Sequence, residues 1–108
     1  MSGTKSGVYE MEPLTLADAK LFCRVDNTVE DSLIQALIVA AREAAESRCN
    51  RGMTLEDWPD GYPEQARIWQ LVQVATLYDN REAYVDGKVF RLDHVDRLLD
   101  AYVLPAVV

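Results

Sequence analysis

His94 stands between Asp93 and Asp96, and an Asp-His pair is the orienting half of a hydrolytic triad. A triad also needs a nucleophile held on a tight turn, and no G-x-S-x-G occurs in the chain. His94 therefore reads as a solvent-facing residue near a helix start. Asp93, Asp96 and Asp100 fall on one side of a helix and imitate a catalytic carboxylate set, but Asp93 and Arg97 also make an ordinary i, i+4 pair. A solvated acidic face is the expected reading. Zinc requires clustered Cys and His, whereas Cys23 and Cys49 are far apart and belong to no C-x-x-C pair. They read as reduced, buried thiols; a disulfide would need their Cα atoms within about 7 Å. Residues 26–31 (DNTVED) imitate a calcium loop, yet the required Gly is missing and Leu37 stands where the bidentate Glu belongs. Neither G-x-G-x-x-G nor G-x-x-x-x-G-K is present to cradle a phosphate. The expectation is a non-enzyme with no catalytic, cofactor-binding or metal residues.

Composition agrees with that expectation. The chain has 108 residues, 49% hydrophobic and 27% charged, enough for one domain with a real core. Its net charge is −7, which disfavours a surface that grips phosphates. Residues 1–54 carry six bases and eight acids, residues 55–108 five and ten, so the second half is the poorer nucleic-acid partner. No apolar stretch resembles a secretory signal or approaches the ~20 residues that span a bilayer. A soluble, cytoplasmic protein is the default expectation.

The elements follow from caps and periodicity. Residues 1–12 are polar, without period, and read as a flexible N-terminal segment outside the core. Thr15 and Asp18 resemble a capping box that opens a short helix ending near Arg24, with Leu16, Ala19, Leu21, Phe22 and Cys23 as its apolar surface. Thr28 with Asp31 offers a second cap. From Glu30 to about Asn50 the chain lacks Gly and Pro, and Leu33, Ile34, Leu37, Ile38, Ala41, Ala44 and Ala45 recur at three and four. Residues 53–62 form the longest irregular connection, with room for one helical turn over 54–57. Pro63 starts a third helix running to Tyr84, apolar around most of its circumference, with Gln70, Gln73 and Asn80 as its narrow polar strip. After the Asp86-Gly87 turn, residues 88–92 suit a short extended segment. Asp93 then caps a last helix with Val95, Leu98, Leu99 and Tyr102 as its stripe. The expected fold is all-α, a small bundle of about four helices.

Some apolar residues have no obvious place in one small core. Ala36, Val39 and Ala40 lie off the main stripe of the long helix, to be covered by another helix of the domain or by a neighbouring subunit. Trp58, beside Glu56, Asp57 and Asp60, is either a partner anchor or folds back on the core. The third helix, Trp69 included, offers more apolar surface than the remaining elements can cover. Pro105 ends the last helix and leaves the apolar tail Ala106, Val107 and Val108.

Residues 14–25 (LTLADAKLFCRV), residues 31–45 (DSLIQALIVAAREAA) and residues 77–83 (LYDNREA), in this order, resemble the small head-to-tail connectors of tailed bacteriophages, whose members are often labelled DNA-packaging proteins. The resemblance covers roughly residues 12–104. It implies a helical connector domain over residues 13–104, a C-terminal tail over residues 105–108, and a virion protein made in the host cytoplasm and placed at the head-tail junction. Such proteins form a ring of about twelve subunits between the portal and a tail or stopper protein, and DNA passes through without specific binding. Arg81 and Glu82 match the family motif at the end of the third helix, and Arg81 would pair with Glu82 or Glu43 within or across subunits. The loop over 53–62 and the tail after Tyr102 are the expected portal or tail contacts. Other readings predict different features. A DNA-binding packaging subunit needs a Lys- and Arg-rich recognition helix, which is absent; an enzyme needs a site; a cellular interaction module would differ only in partner.

Overall fold

The computed structural model describes residues 11–80 and 93–105. Among them are four α-helices and no strand: α1 (Leu16–Cys23), α2 (Asp31–Cys49), α3 (Glu64–Asp79) and α4 (Asp93–Asp96), the last continuing as a 3-10 helix, Arg97–Tyr102. The small all-α bundle expected from the sequence is the observed fold. The expected N-terminal segment up to residue 10, the α3 extension beyond Asn80, the turn at Asp86-Gly87, the extended segment over 88–92 and residues 106–108 lie outside the described residues, as do the side chains of Asp93 and His94.

Each helix begins and ends for a local reason. The Asp18 N–H donates to Thr15 Oγ1 at 3.0 Å, so Thr15 caps α1 as its spacing predicts. Arg24 closes α1 in the left-handed region at φ 61°, and Asn50 closes α2 at φ 56°. The expected Thr28 cap on α2 is not formed. Glu30 holds the cap position, and Asn27 instead accepts the Val29 N–H at 3.0 Å in a turn of its own. Thr54 and Asp57 make a capping box around the 3-10 turn Leu55–Asp57. Pro63 precedes α3 with φ −64°, already set for a helix start.

Helix α3 is central, packing against α1, α2 and the C-terminal 3-10 segment. One core lies where α1 and the first half of α2 meet the second half of α3; it holds Leu14, Ala19, Ile34, Leu37, Ile38, Ala41, Leu71, Val74 and Leu77. A second core gathers Ala45, Cys49, Met53, Ala66, Trp69 and Leu99, with Val95, Leu98 and Tyr102 packed against it. The stripes read from α2 and from the last helix are therefore the buried ones. Two expectations fail. Leu21 and Phe22 are 81% and 47% exposed, because Ala19 occupies the contact face of α1 and its small side chain brings α1 close to α3. Gln70 and Gln73, expected as the polar strip of α3, are buried at 0% and 2%, while Ile68 is 40% exposed. The helix still buries Ala66, Trp69, Leu71, Val74 and Leu77, but it carries two glutamines inward with them and leaves one isoleucine out.

Candidate functional site

Polar chemistry in this bundle is spent on holding it together. Arg42 on α2 donates from Nε to both carboxylate oxygens of Glu12, at 3.1 and 3.2 Å, and from Nη1 to Glu46 at 3.0 Å. Glu46 in turn accepts the Met53 N–H at 3.0 Å, and the Leu55 N–H donates to the Met11 carbonyl at 2.9 Å. Glu12 is buried, so the last residues of the segment read as loose are pinned by this ion pair. Its acceptors push the Arg42 guanidinium above its ordinary range and keep it charged. Beside it the Tyr62 hydroxyl donates to Gln70 Oε1 at 2.8 Å, and burial pushes the Tyr62 phenol well above its ordinary value.

A second polar knot ties the C-terminal segment to the core. Trp69 Nε1 donates to Asp96 Oδ1 at 2.9 Å, and Arg48 reaches Asp96 at 3.9 Å and Asp100 at 3.2 Å. Asp96 is buried and so leaves the solvated acidic face expected of it, whereas Asp100, paired with Arg48, stays exposed. Trp69, expected at an interface, is 2% exposed and lies wholly within the second core. The Leu104 N–H donates to the Cys49 carbonyl at 2.8 Å, which fixes the end of the described chain against the C-terminus of α2.

Trp58 folds back on the second core. Its indole N–H donates to the Gly52 carbonyl at 3.1 Å, its ring meets Tyr62 and Tyr102 edge to face, and the Arg51 guanidinium stacks 4.2 Å from its centroid. A Cβ at Gly52 would lie 2.2 Å from the Asp57 carboxylate, so a larger residue here would push that carboxylate out of its capping box with Thr54. Cys23 and Cys49 are free, and burial raises both thiols, which makes them poor nucleophiles. No group of three or more His, Cys, Asp or Glu among the described residues is arranged to hold a metal ion.

What this structure presents outward is apolar surface on two helix faces. Ala36, Val39 and Ala40 are partly exposed on the side of α2 turned from its core stripe. Leu21, Phe22 and Ile68 are exposed on α1 and α3. Sequence reasoning missed the second face, because it assigned Leu21 and Phe22 to the core and the α3 glutamines to solvent. Arg81, Glu82, Val107 and Val108 lie outside the described residues.

The family model described as "Phage gp6-like head-tail connector protein" matches residues 13–102, which span all of α1 to the C-terminal 3-10 helix. The chain belongs to that family. No curated protein and no solved structure matches it. This connector is thus a structural component of a phage virion, assembled with other head and tail proteins at the head-tail junction. No described helix is long and apolar enough to cross a membrane.

Proposed function

We propose that this connector is a non-enzymatic, ring-forming adaptor that sits between the portal and a tail or stopper protein and extends the DNA channel after packaging. The observation that carries the reading is the pair of outward apolar helix faces on a chain whose family works at the head-tail junction. A small bundle gains nothing from exposing Leu21, Phe22 and Ile68 in isolation, whereas contact with further subunits removes them from water at roughly 25 cal/mol per Å².

Charge supports a lumen that lets DNA slide. Lys20, Arg42, Arg48 and Arg67 are held in ion pairs, and Arg51 stacks on Trp58. Phosphates are repelled by an acidic wall and are held by free cations, which are few among the described residues. Within the ring we assign Ala36, Val39 and Ala40 to subunit contact. Portal and tail contacts fall to the exposed rim of the loop at Trp58, to Arg81 and Glu82, and to the tail with Val107 and Val108, which follow the connector domain of residues 13–104. The test is the mass of the purified protein by native mass spectrometry over a range of concentrations, alone and with the portal, followed by electron microscopy. A closed assembly of about twelve chains supports the adaptor reading. A chain that stays monomeric alone and with the portal refutes it.

A further inference from the structure

The groove between α1 and α3 has a volume of about 380 Å³ and is lined by Leu21, Phe22 and Leu71, with the Asp18–Arg67 ion pair of 2.7 Å at its side. Leu21 and Phe22 remain 81% and 47% exposed at it, and Ile68, next in sequence to the lining Arg67, is 40% exposed. We propose that this groove seats a second copy of the chain, which enters with the outer ridge of its α2, Ala36, Val39 and Ala40. The inference rests on the ring reading above and supplies the missing half of its interface.

Size, charge and asymmetry select that occupant. On the ridge one branched side chain, Val39, stands between two alanines, so the helix can approach closely while Val39 enters the groove as a knob. Each face also carries one exposed charge of opposite sign. Arg24 ends α1 two residues after Phe22 and makes no ion pair among the described residues. Glu43, one turn beyond Val39 and Ala40 on the ridge, is exposed and likewise makes none. A guanidinium left over on one face and a carboxylate left over on the other meet when the faces meet. The two faces also differ from each other. Their contact is therefore head-to-tail, the type that repeats around a closed ring, rather than the self-complementary type that stops at a dimer.

Phe22→Glu and Val39→Glu, made separately and checked for helicity by circular dichroism, are each expected to weaken self-association at least about tenfold in sedimentation equilibrium. Mixed in equal amounts, they are expected to form a one-to-one dimer and nothing larger, because only one pair of intact faces is left. Arg24 and Glu43 are both exposed; Arg24→Glu and Glu43→Arg are each expected to weaken assembly, and the two combined in one chain to restore it. Wild-type assembly by Phe22→Glu overturns the proposal, as does the absence of the mixed dimer, which would mean a self-complementary contact. Loss of portal binding by Phe22→Glu with self-association intact also overturns it, by giving the groove to another virion protein. A wild-type chain that never assembles removes the ring reading instead, and that result is visible before any variant is made.

Discussion

Arg42 shows how a single side chain can organise the entry to a fold. Its i, i+4 partner Glu46 is legible in the sequence of α2, but Glu12 is not, because it sits in a stretch without periodicity and meets Arg42 only after folding. The Glu12 side chain is 4% exposed and Arg42 18%, so removing the carboxylate strands a half-buried guanidinium. Glu12→Ala is expected to cost about 2–3 kcal/mol in urea unfolding, less than a fully buried pair because Glu46 still holds one nitrogen. A cost near zero would mean that the N-terminal entry is not clamped by this pair. Asp18 makes a different case, tested by pH. Burial acts to raise its carboxyl, but hydrogen bonds from Thr15 and the Arg67 guanidinium outweigh it and hold the group below its ordinary 3.8. The folded chain then binds this proton more weakly than the unfolded chain does. The stabilisation is accordingly complete above pH 3.8 and is lost as pH falls through the lower folded value. Asp18→Asn should lower the urea midpoint near pH 7, and the gap from wild type should narrow as the pH falls below 3.8. The effect will be small, since the carboxylate is 38% exposed.

At the scale of elements, the sequence is read best where periodicity alone decides. The stripe of α2 and that of the C-terminal segment are buried as their spacing requires, although the latter is mostly 3-10 rather than α. Reading failed on part of α3, where apolar residues fall around most of the circumference and hydropathy therefore gives little direction. Its orientation is decided instead by specific bonds: Trp69 to Asp96 and Tyr62 to Gln70 pull the intervening turn inward and leave Ile68 outside. No pattern rule finds such pairs, since the partners lie on separate elements. The Gln70 side chain is fully buried, accepts from Tyr62, and leaves its Nε2 without a hydrogen-bond partner. Gln70→Leu alone should therefore destabilise the fold by about 1–2 kcal/mol, because it takes the partner from the half-buried Tyr62 hydroxyl. Combining it with Tyr62→Phe removes both polar groups and is expected to restore wild-type stability or exceed it. Urea midpoints of the two single variants and the double variant measure this directly; a double variant worse than both singles would show that the pair is worth more than its desolvation.

For the molecule as a whole, fold class and family were legible, and the disposition of charge was legible only in part. Composition gives the net −7 but cannot say which charges are already spent. In the folded chain Arg24 and Arg97 are the described bases left without an ion pair or aromatic stack, while Asp26, Glu43, Glu56 and Asp60 remain free on the acidic side. Among the described residues, unpaired acids therefore outnumber unpaired bases. Binding to duplex DNA through phosphates scales with the number of cations that displace counterions, and the two unpaired guanidinium groups among the described residues displace too few. The connector is expected not to retard duplex DNA in a mobility-shift assay even at about 50 mM salt, where phosphate contacts are strongest. Arg24→Glu should leave that result unchanged, because its role lies between subunits. Retardation that faded with rising salt would show instead that cations outside the described residues form a phosphate-binding surface, and the picture of a wall past which DNA slides would have to be given up.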